Sequence, residues 1–562
     1  MTAALPQARP TRATAPLGPR RAEPYRTAPD PEERGWPPGI AFIIGNEGCE
    51  RFSFYGMRAI LKVYLLLLYT QLGLEQAAAQ AQSTAVYHLF ITGVYATPML
   101  GAIVADRWLG KYSTILALSW VYCAGHAALA LFEGNLPGIY LGLGLIALGA
   151  GGIKPCVSAH VGDQFGPGNA HKLERAFQAF YFIINFGAFF SQVLIPWTKE
   201  AWGWRVAFGI PGILMAVATL LFWAGRHRFV HVPPKPGGRL GAIDALSALL
   251  FLLTPTVWLL AWSLPWWQRL LLSAFCLMAA LVLFRRRQKL APDAGLLSVW
   301  LFCFVWHWRH SRLRRLFTGH AAAATHATTA TDSSDQRASA MQAATAHFGT
   351  EATAAVSSVG RILTLFIWVS VFWALWEQHA STWIDQGAQM QRRVQLFGGP
   401  AFTVLPEQLQ ALNPILVMLL IPAATYGLYP AARRIGWSTS APARMGAGML
   451  ITAAAFVVVA LLQHRLDQGE TLHISWQLLP YSLLTLGEVM VSVTGLEYAY
   501  TKAPPRLKST IMGLWMLTVA LGNALTGLLA AFAGLSLASF FWLFAVLLAV
   551  ATFGFGLSSW KA

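Results

Sequence analysis

Ionisable side chains are concentrated in the first strongly apolar stretch of this chain. Glu47, Glu50, Arg51, Arg58 and Lys62 lie on one broad stripe if the segment is a helix of 3.6 residues per turn. Each ionised group at the centre of a bilayer costs about 2.5–3.5 kcal/mol. The stripe is therefore expected to face a protein-lined cavity and not lipid. In such a cavity, carboxylates can pair with guanidinium groups.

Charged residues in later apolar segments complement this stripe in sign. Lys154 lies in Gly-Gly-Ile-Lys-Pro, Glu377 in Leu-Trp-Glu-Gln-His and Glu488 in Leu-Gly-Glu-Val. We predict that Arg58 pairs with Glu377, and Lys154 with Glu488, across one central cavity. A buried ion pair is costly to break by removing one partner. Pairs that form on one side of the cavity and separate on the other would therefore act as alternating gates.

Two positions also have a simpler interpretation. Lys62 lies near one end of its apolar segment, so its ammonium could extend to the headgroup region while its stem stays in apolar surroundings. His88 lies on an apolar segment beside Tyr87. It is either a hydrogen-bonded core histidine or a group that handles protons.

The composition is that of a polytopic helical membrane protein. The chain has 562 residues, of which 56% are hydrophobic and 12% charged, and its mean hydropathy is +0.50. Soluble domains carry about 25% charged residues. The net charge of +17 does not indicate a nucleic-acid partner, because most basic residues lie in loops between apolar segments.

No catalytic constellation accompanies these charges. The five cysteines lie in apolar segments, without metal-ligand spacing or a disulfide framework. The sequence contains no phosphate-binding loop and no nucleophile elbow. We therefore expect that the protein is not an enzyme and has no metal site and no cofactor.

The elements that position the charges are apolar runs long enough to cross a bilayer. We predict an all-α membrane protein with fourteen transmembrane helices: 39–69, 83–106, 112–132, 137–160, 175–196, 205–226, 243–263, 266–285, 361–386, 408–432, 443–463, 476–501, 508–533 and 536–558. Most Lys and Arg residues then lie on the side of the N-terminus. This bias predicts that the N- and C-termini are cytosolic.

The order of these spans divides the chain into five parts. They are a disordered cytosolic tail at 1–38, a six-helix bundle at 39–227, an inserted transmembrane hairpin at 228–290, a cytosolic linker at 291–359 and a second six-helix bundle at 360–562. In the linker, 296–308 is too short to span and leads into basic residues, which is typical of an amphipathic helix in the headgroup region. Residues 318–358 are rich in Ala, Thr and Ser, and we expect a flexible loop there.

Several motifs, in order along the chain, resemble those of the proton-dependent oligopeptide transporters of the major facilitator superfamily. Glu47-x-x-Glu50-Arg51, followed by Phe52 and Tyr55, is similar to the family's E-x-x-E-R motif. Further similar segments are the loop between spans two and three at 101–112, the fourth-span signature at 151–165, the fifth-span F-Y-x-x-I-N at 180–185, and 412–414 and 513–515. The resemblance covers residues 38–286 and 360–535.

The resemblance implies the major facilitator fold and the import of di- and tripeptides driven by an inward proton gradient. It assigns proton coupling to Glu47, Glu50, Arg51, Glu377 and His88. It assigns the peptide carboxylate to Arg58 and Lys154, and the peptide amino terminus to Glu488, Asn185 and Asn413. It assigns the side-chain pockets to Tyr55, Tyr95, Tyr181, Trp373 and Trp515.

These implied roles are physically reasonable. A zwitterionic peptide needs opposite charges at opposite ends of a cavity. Contacts to its backbone do not discriminate between its side chains. Protonation of Glu47 or Glu50 would release Arg51 and change the charge of the cavity. The inserted hairpin resembles an additional helix pair of bacterial members. We therefore expect a multi-pass protein of the plasma membrane, in the bacterial inner membrane, that functions as a monomer.

Two departures from the family pattern bear on the substrate. Phe54 replaces a common Tyr, and Trp376 in Trp-Glu-Gln-His-Ala-Ser replaces a common Phe. Two alternatives stay open. One is a proton-coupled transporter of the same fold for nitrate, an organic anion or an amino-acid-like compound. The other is a non-transporting membrane sensor with 291–360 as its signalling element.

Overall fold

The chain is an all-helical, multi-pass membrane protein. The computed structural model describes residues 25–260, 264–292, 295–310, 332–395, 399–502, 508–532 and 534–561. Within these ranges, thirteen helices are long and apolar enough to cross a membrane. The predicted all-α class is confirmed.

Five helices form the first half of the molecule: α1 (Ile40–Gln71), α2 (Gln76–Val104), α3 (Lys111–Leu131), α4 (Leu136–Asp163) and α5 (Leu173–Ala224). A π-helical turn, Ala105–Leu109, follows α2. Helix α5 is bent at Gly203, whose φ of 81° is a left-handed conformation that glycine adopts without a Cβ penalty. Its two arms occupy the predicted spans 175–196 and 205–226. Because the backbone is not helical at Gly203, these arms are two separate crossings, and the thirteen apolar helices of the described residues account for the fourteen predicted crossings.

The predicted disordered tail is wrong for residues 25–38, which pack against loops of the first half. The backbone of Arg26 pairs with that of Val230, and the Tyr25 ring stacks on His231 with centroids 4.2 Å apart. The Asn169 amide donates to the Gly35 carbonyl at 3.3 Å. These aromatic and backbone contacts hold a segment whose composition alone indicated disorder. Residues 1–24 lie outside the described ranges.

The inserted hairpin consists of α6 (Gly238–Leu260) and α7 (Trp266–Leu290). It is fixed to the end of α2 by a shared carboxylate. Asp244 accepts from Arg107 Nη1 at 2.8 Å and from Arg287 Nε at 3.0 Å. A Cβ atom at Gly241 would lie only 1.8 Å from the Arg107 carbonyl oxygen, so glycine is required for this close approach.

The linker is more helical than the sequence predicted. The short helix is present as α8 (Leu296–His310), and α9 (Asp332–Phe348) follows. The expected flexible loop is wrong for 332–358, because α9 and the start of α10 (Thr350–Trp376) occupy it. Alanine is the strongest helix former, and a small core of Val299, Ala344 and Val356 joins the three helices. Residues 318–331 lie outside the described residues.

The second half begins with α10. Its further elements are a 3₁₀ turn (Glu377–Ala380), α11 (Thr382–Ala388), a 3₁₀ turn (Pro406–Ala411), α12 (Leu412–Pro422), a π turn (Ala423–Leu428), α13 (Tyr429–Arg434), α14 (Ala441–Asp467), a 3₁₀ turn (Ile474–Gln477), α15 (Leu478–Glu488), a π turn (Val489–Val493), α16 (Thr494–Lys502), α17 (Lys508–Phe532) and α18 (Leu537–Lys561). Strands β1 (Arg393–Val394) and β2 (Phe402–Thr403) pair antiparallel after α11.

Each half has its own hydrophobic core. One core is built from α1 to α5, and the other from α10 to α18. The halves meet where α2 packs along α17: Gly527 lies against His88, and Gly513 lies against Met99. Tyr95 packs against both cores. The predicted charges therefore lie on helices that line the junction of two bundles.

Candidate functional site

The acidic end of the charged stripe on α1 forms one cluster. Arg51 Nε donates to Glu47 Oε1 at 2.6 Å, one helical turn away, and lies 3.2 Å from Glu50 Oε2. The side chains of Glu47 and Glu50 are only 1% exposed. Two carboxylates therefore share one guanidinium inside the first bundle, as the spacing predicted.

Arg58, two turns further along α1, reaches the second half. Its Nη2 donates to Glu377 Oε2 at 2.5 Å, and both side chains are buried. Its Nε donates to the Tyr87 hydroxyl of α2 at 2.6 Å. The predicted Arg58–Glu377 pair is confirmed, and Tyr87 is an additional partner that the sequence did not indicate.

The predicted pair of Lys154 with Glu488 does not form. Lys154 Nζ lies over the rings of Phe54 and Tyr95, 4.2 and 4.4 Å from their centroids. Glu488 Oε2 instead accepts from Asn413 Nδ2 at 2.6 Å. Neither charge has an ion pair within 4.0 Å among the described residues. The pair does not form because aromatic faces stabilise the Lys154 cation and the Asn413 amide stabilises the Glu488 carboxylate, each within its own half.

Aromatic side chains enclose the space around Arg58. Its Cζ lies 5.9 Å from the ring centroids of Tyr55 and Trp376. Trp373 makes edge contacts with Trp376 at 5.4 Å and with Trp515 at 6.3 Å. The predicted pocket residues Tyr55, Tyr95, Trp373 and Trp515 are thus brought together from both halves.

Two further predicted binding residues, Asn185 and Tyr181, lie on α5 of the first half and form no hydrogen bond with the Glu488 carboxylate among the described contacts. Asn185 Nδ2 donates to the Tyr181 carbonyl of its own helix at 2.9 Å and forms no hydrogen bond with Glu488. The Tyr181 side chain is 44% exposed. The assignment of both residues to the peptide amino terminus or side-chain pocket stays a prediction.

Two buried ion pairs join the halves beyond Arg58, toward the C-terminal end of α1. Lys62 pairs with Asp385 of α11, and Lys199 of α5 pairs with Glu407 of the 3₁₀ turn before α12. Lys62 is fully buried, so its predicted extension to the headgroup region is wrong. The Asp385 carboxylate supplies the counter-charge of the Lys62 ammonium inside the junction. This end of the junction is closed by charged contacts.

His88 contributes to the same closed end. Its Nδ1 lies 2.8 Å from Asn523 Oδ1 of α17, and its Nε2 lies 2.8 Å from Ser381 Oγ after the 3₁₀ turn. Both ring nitrogens are therefore bonded to the second half. The ring is fully buried, so any change in its protonation would alter contacts between the halves. Whether it handles protons stays a prediction.

The sequence did not single out Asp385, Lys199 or Glu407. Asp385 could have been found, because it follows Glu377 by about two helical turns in the same apolar run. Lys199 and Glu407 lie at the predicted ends of spans, where charges are ordinary, and only the packing of the halves brings them together. In the part of the chain that the structure describes, no three His, Cys, Asp or Glu residues are grouped to hold a metal.

The arrangement can hold a ligand that carries both charges. A cation and a carboxylate, each supported by neutral groups, lie on opposite halves of one aromatic-lined junction. Beside them, a guanidinium shared by two carboxylates can exchange partners if a proton binds. These are the chemical elements of ligand binding coupled to protonation.

Comparisons with known proteins show which family the chain belongs to. The sequence profile described as the POT family matches residues 112–543. The chain is 31% identical to human solute carrier family 15 member 1 over 461 residues, which is 77% of this chain and 53% of that protein. It is 31% identical to peptide transporter family 1 of Drosophila melanogaster over 448 residues, 77% of this chain and 48% of that protein. The chain spans about half the length of the curated relatives it matches.

The fold also matches solved structures over nearly the whole chain. A crystal structure of the POT family transporter PepTSo is 38% identical, with a TM-score of 0.73, and the match covers 94% of this chain and 98% of that one. A POT family transporter in complex with 5-aminolevulinic acid shares the fold at 20% identity, with a TM-score of 0.67 and coverage of 94% and 97%. With the profile matched over most of its length, this chain belongs to the POT family.

Proposed function

We propose that this chain is a proton-coupled symporter that imports di- and tripeptides by alternating access. One observation carries the proposal: Lys154 and Glu488 are opposite charges on opposite halves, and among the described residues neither forms an ion pair within 4.0 Å. A free peptide is a zwitterion that supplies the carboxylate for one and the ammonium for the other. A ligand with a single charge would leave one buried charge uncompensated, which is strongly unfavourable.

The supporting contacts fit a peptide backbone. Asn413 holds the Glu488 carboxylate in place at 2.6 Å, so the ammonium of the peptide meets a positioned acceptor. Trp373 and Trp515 contact each other edge to face on the side of the second half, and this apolar surface is offered to side chains of different size. Such a site selects for the distance between the two termini, and so for short peptides, more than for sequence.

Proton coupling follows from the shared guanidinium. In the unprotonated cluster, Arg51 is held by Glu47 at 2.6 Å and by Glu50 at 3.2 Å. A proton on Glu50 removes one of these contacts and raises the positive charge of the cavity, which favours the peptide carboxylate. Proton and peptide thus bias the same conformational equilibrium.

Alternating access requires the halves to separate at the closed end. Arg58–Glu377 and Lys62–Asp385 would break as the junction opens there. A buried pair that loses one partner is destabilised by about 3–5 kcal/mol. Both members must therefore be hydrated or rebound in the open state, and Arg58 is then free for the peptide carboxylate.

The orientation and location are part of the proposal. The excess of Lys and Arg on the side of the N-terminus supports cytosolic N- and C-termini. The closed end with Lys62 and Asp385 then faces the outside. We assign the protein to the bacterial inner membrane as a functional monomer, because each half-site belongs to the same chain.

Uptake by purified protein in proteoliposomes tests the proposal. With acidic medium outside, labelled dialanine should accumulate, trialanine should compete, and a protonophore should abolish the accumulation. N-acetyl-dialanine and dialanine amide, which each lack one charge, should compete at least tenfold more weakly. Absence of proton-dependent uptake of any di- or tripeptide would refute the function. Nitrate or organic-anion uptake that dialanine does not inhibit would favour the same-fold alternative.

A further inference from the structure

A group of buried polar side chains inside the first half has no role in the mechanism above. Tyr122 and His126 lie one turn apart on α3, both fully buried, and their rings stack with centroids 4.9 Å apart and planes at 23°. Among the described residues, both ring nitrogens of His126 have no hydrogen-bond partner. The Tyr122 hydroxyl makes no hydrogen bond of good geometry, although it is directed at the Glu50 carboxyl beside it. The buried hydroxyl of Ser119, on the turn before Tyr122, is also unpaired.

Such a group needs an explanation, because nearly all buried polar atoms in folded proteins have a partner, either protein or ordered water. Unpaired atoms on three side chains along one helix face are a place where water molecules can bind in sequence. An imidazole and a hydroxyl are also side chains that both accept and donate a proton. The face is therefore suited to proton transfer.

The inner end of this face reaches the proton-coupling cluster. Tyr122 lies beside the Glu50 carboxyl of α1. Both oxygens of Glu50 lack a hydrogen bond among the described residues, although Oε2 lies 3.2 Å from Arg51. A proton on the Tyr122 hydroxyl is thus next to the carboxylate that is proposed to receive it.

The charged and titratable groups around this face are few. Helix α1 contributes Glu47, Glu50 and Arg51, and α4 contributes Lys154, whose charge also acts on the Glu50 carboxyl. Helix α3 itself contributes Cys123, whose Sγ contacts Thr219 of α5 at 3.7 Å. On the second arm of α5, Gly212 packs against His126. Glu50, with Glu47 one helical turn before it, provides the carboxylates at the Tyr122 end of this face.

The other end of the face approaches an open pocket. A pocket of about 420 Å³ lies between the ends of α1, α3 and the second arm of α5, with Gln71, Glu133 and Arg205 among its lining residues. Ala130 also lines it, and Ala130 is one helical turn beyond His126 on the same face of α3. The pocket lies at the end of the molecule where the junction between the halves is closed.

We propose that these residues form a proton-access route through the first bundle, from the pocket through His126 and Tyr122 to Glu50. The route rests on the proposed proton-coupled function. It is separate from the cavity between the halves, so protons reach Glu50 while Lys62–Asp385 keeps that cavity closed.

The transfer conserves protons at each step. A hydronium ion in the pocket transfers a proton to the unprotonated ring nitrogen of His126 and becomes water, and the opposite ring nitrogen releases its own proton toward the Tyr122 oxygen. The Tyr122 hydroxyl passes its original proton to Glu50, whose carboxylate becomes neutral and releases Arg51. Only N–H and O–H bonds form and break.

The first test compares two activities of His126→Leu in proteoliposomes. Uptake driven by a pH gradient imports net protons, whereas counterflow of labelled against unlabelled dialanine at equal pH does not require them. We expect the initial rate of driven uptake to fall at least tenfold, with counterflow and dialanine affinity within twofold of the wild type. His160→Leu is the matched control. His160 is a buried histidine of α4 with an unpaired Nε2, and its replacement should leave both activities within twofold of the wild type.

Tyr122→Phe provides the second variant, because it removes only the hydroxyl. It should reproduce the selective loss of driven uptake, and the double variant should be no slower than the slower single variant. Driven uptake within twofold of the wild type in either single variant would overturn the route. Equal loss of both activities in Tyr122→Phe, or the same selective loss in His160→Leu, would also overturn it. If the wild type shows no driven uptake, the proposed function fails, and not the route alone.

Discussion

Two sets of complementary charges lie on equivalent helices of the two halves, and only one of them forms an ion pair. Arg58 and Glu377 are in contact at 2.5 Å across the junction. Lys154 and Glu488 are not paired, and each is held by neutral side chains of its own half. The comparison separates two uses of buried charge. A closed pair can hold the halves together, and an open pair leaves two charges available for a ligand.

The local environment explains the difference. The guanidinium of Arg58 is planar and rigid. Its Nε donates to the Tyr87 hydroxyl, and this hydrogen bond orients Nη2 toward Glu377. Lys154 is a single point charge on a flexible stem, and the rings of Phe54 and Tyr95 hold its ammonium. The same sign pattern in the sequence therefore gives a closed ion pair in one place and two separate charges in the other.

The largest expected effect on peptide binding is at the open pair, Lys154 and Glu488. In Glu488→Gln, the peptide ammonium loses its counter-ion, and we expect dialanine affinity to fall by about 100-fold or more. Binding is measured by competition in counterflow and by thermal shift with dialanine. Glu497→Gln, whose carboxylate is 60% exposed and 3.6 Å from Arg444, is the control and should stay within twofold. Retained affinity in Glu488→Gln would contradict its role as the ammonium site.

Breaking the closed pair of Arg58 and Glu377 should lower the stability of the folded protein. Glu377→Gln leaves the buried Arg58 without its counter-charge, which costs about 3–5 kcal/mol. The thermal unfolding midpoint in detergent should fall by several degrees. Glu470→Gln breaks an exposed contact of 3.9 Å with Arg465 and should change stability by less than about 1 kcal/mol. Equal midpoints for the two variants would show that the closed pair is not a latch.

A variant of the cluster of Glu47, Glu50 and Arg51 should lose proton-driven accumulation of peptide and keep peptide exchange. One pH unit corresponds to about 1.36 kcal/mol, or a tenfold concentration ratio, for each proton imported with a peptide. In a gradient of about two units, the wild type should concentrate dialanine up to about 100-fold for one coupled proton, and Glu50→Gln should equilibrate it without accumulation. Counterflow should continue within about threefold of the wild-type rate. Loss of both activities to the same extent would contradict a coupling role for Glu50.

The smallest effect is expected from the group that holds the open carboxylate. Asn413→Ala removes a 2.6 Å hydrogen bond to Glu488, and hydrogen bonds to charged groups are worth about 1.5–3 kcal/mol. We expect dialanine affinity to fall about tenfold. Thr485→Val, which removes the weaker 3.3 Å contact of Asn413, should lower it less than threefold. An Asn413→Ala effect as small as that of Thr485→Val would show that Glu488 is positioned without the amide.

Much of the fold could be predicted from apolar runs and charge placement. Bilayer thickness requires long apolar helices, so the spans were visible, as was the short helix at Leu296–His310. A flexible loop is expected at 332–358, but the structure has helices there. The Ala-rich composition suits a helix as well as a loop, and only packing against Val299 decides between them. The segment at 25–38 was misjudged for a similar reason, since Tyr25 is ordered by contacts with His231, far along the chain.

The sequence by itself determined which helices carry buried charge and that a cavity must receive it, because an ionised group in a lipid-facing position is too unfavourable. It also determined the cluster of Glu47, Glu50 and Arg51, since one helix turn brings them together. Only the tertiary structure decided that Arg58 is paired and Lys154 is not, and that Lys62 meets Asp385. Contacts between helices depend on how the two halves pack against each other, and helical periodicity within one segment carries no information about that packing.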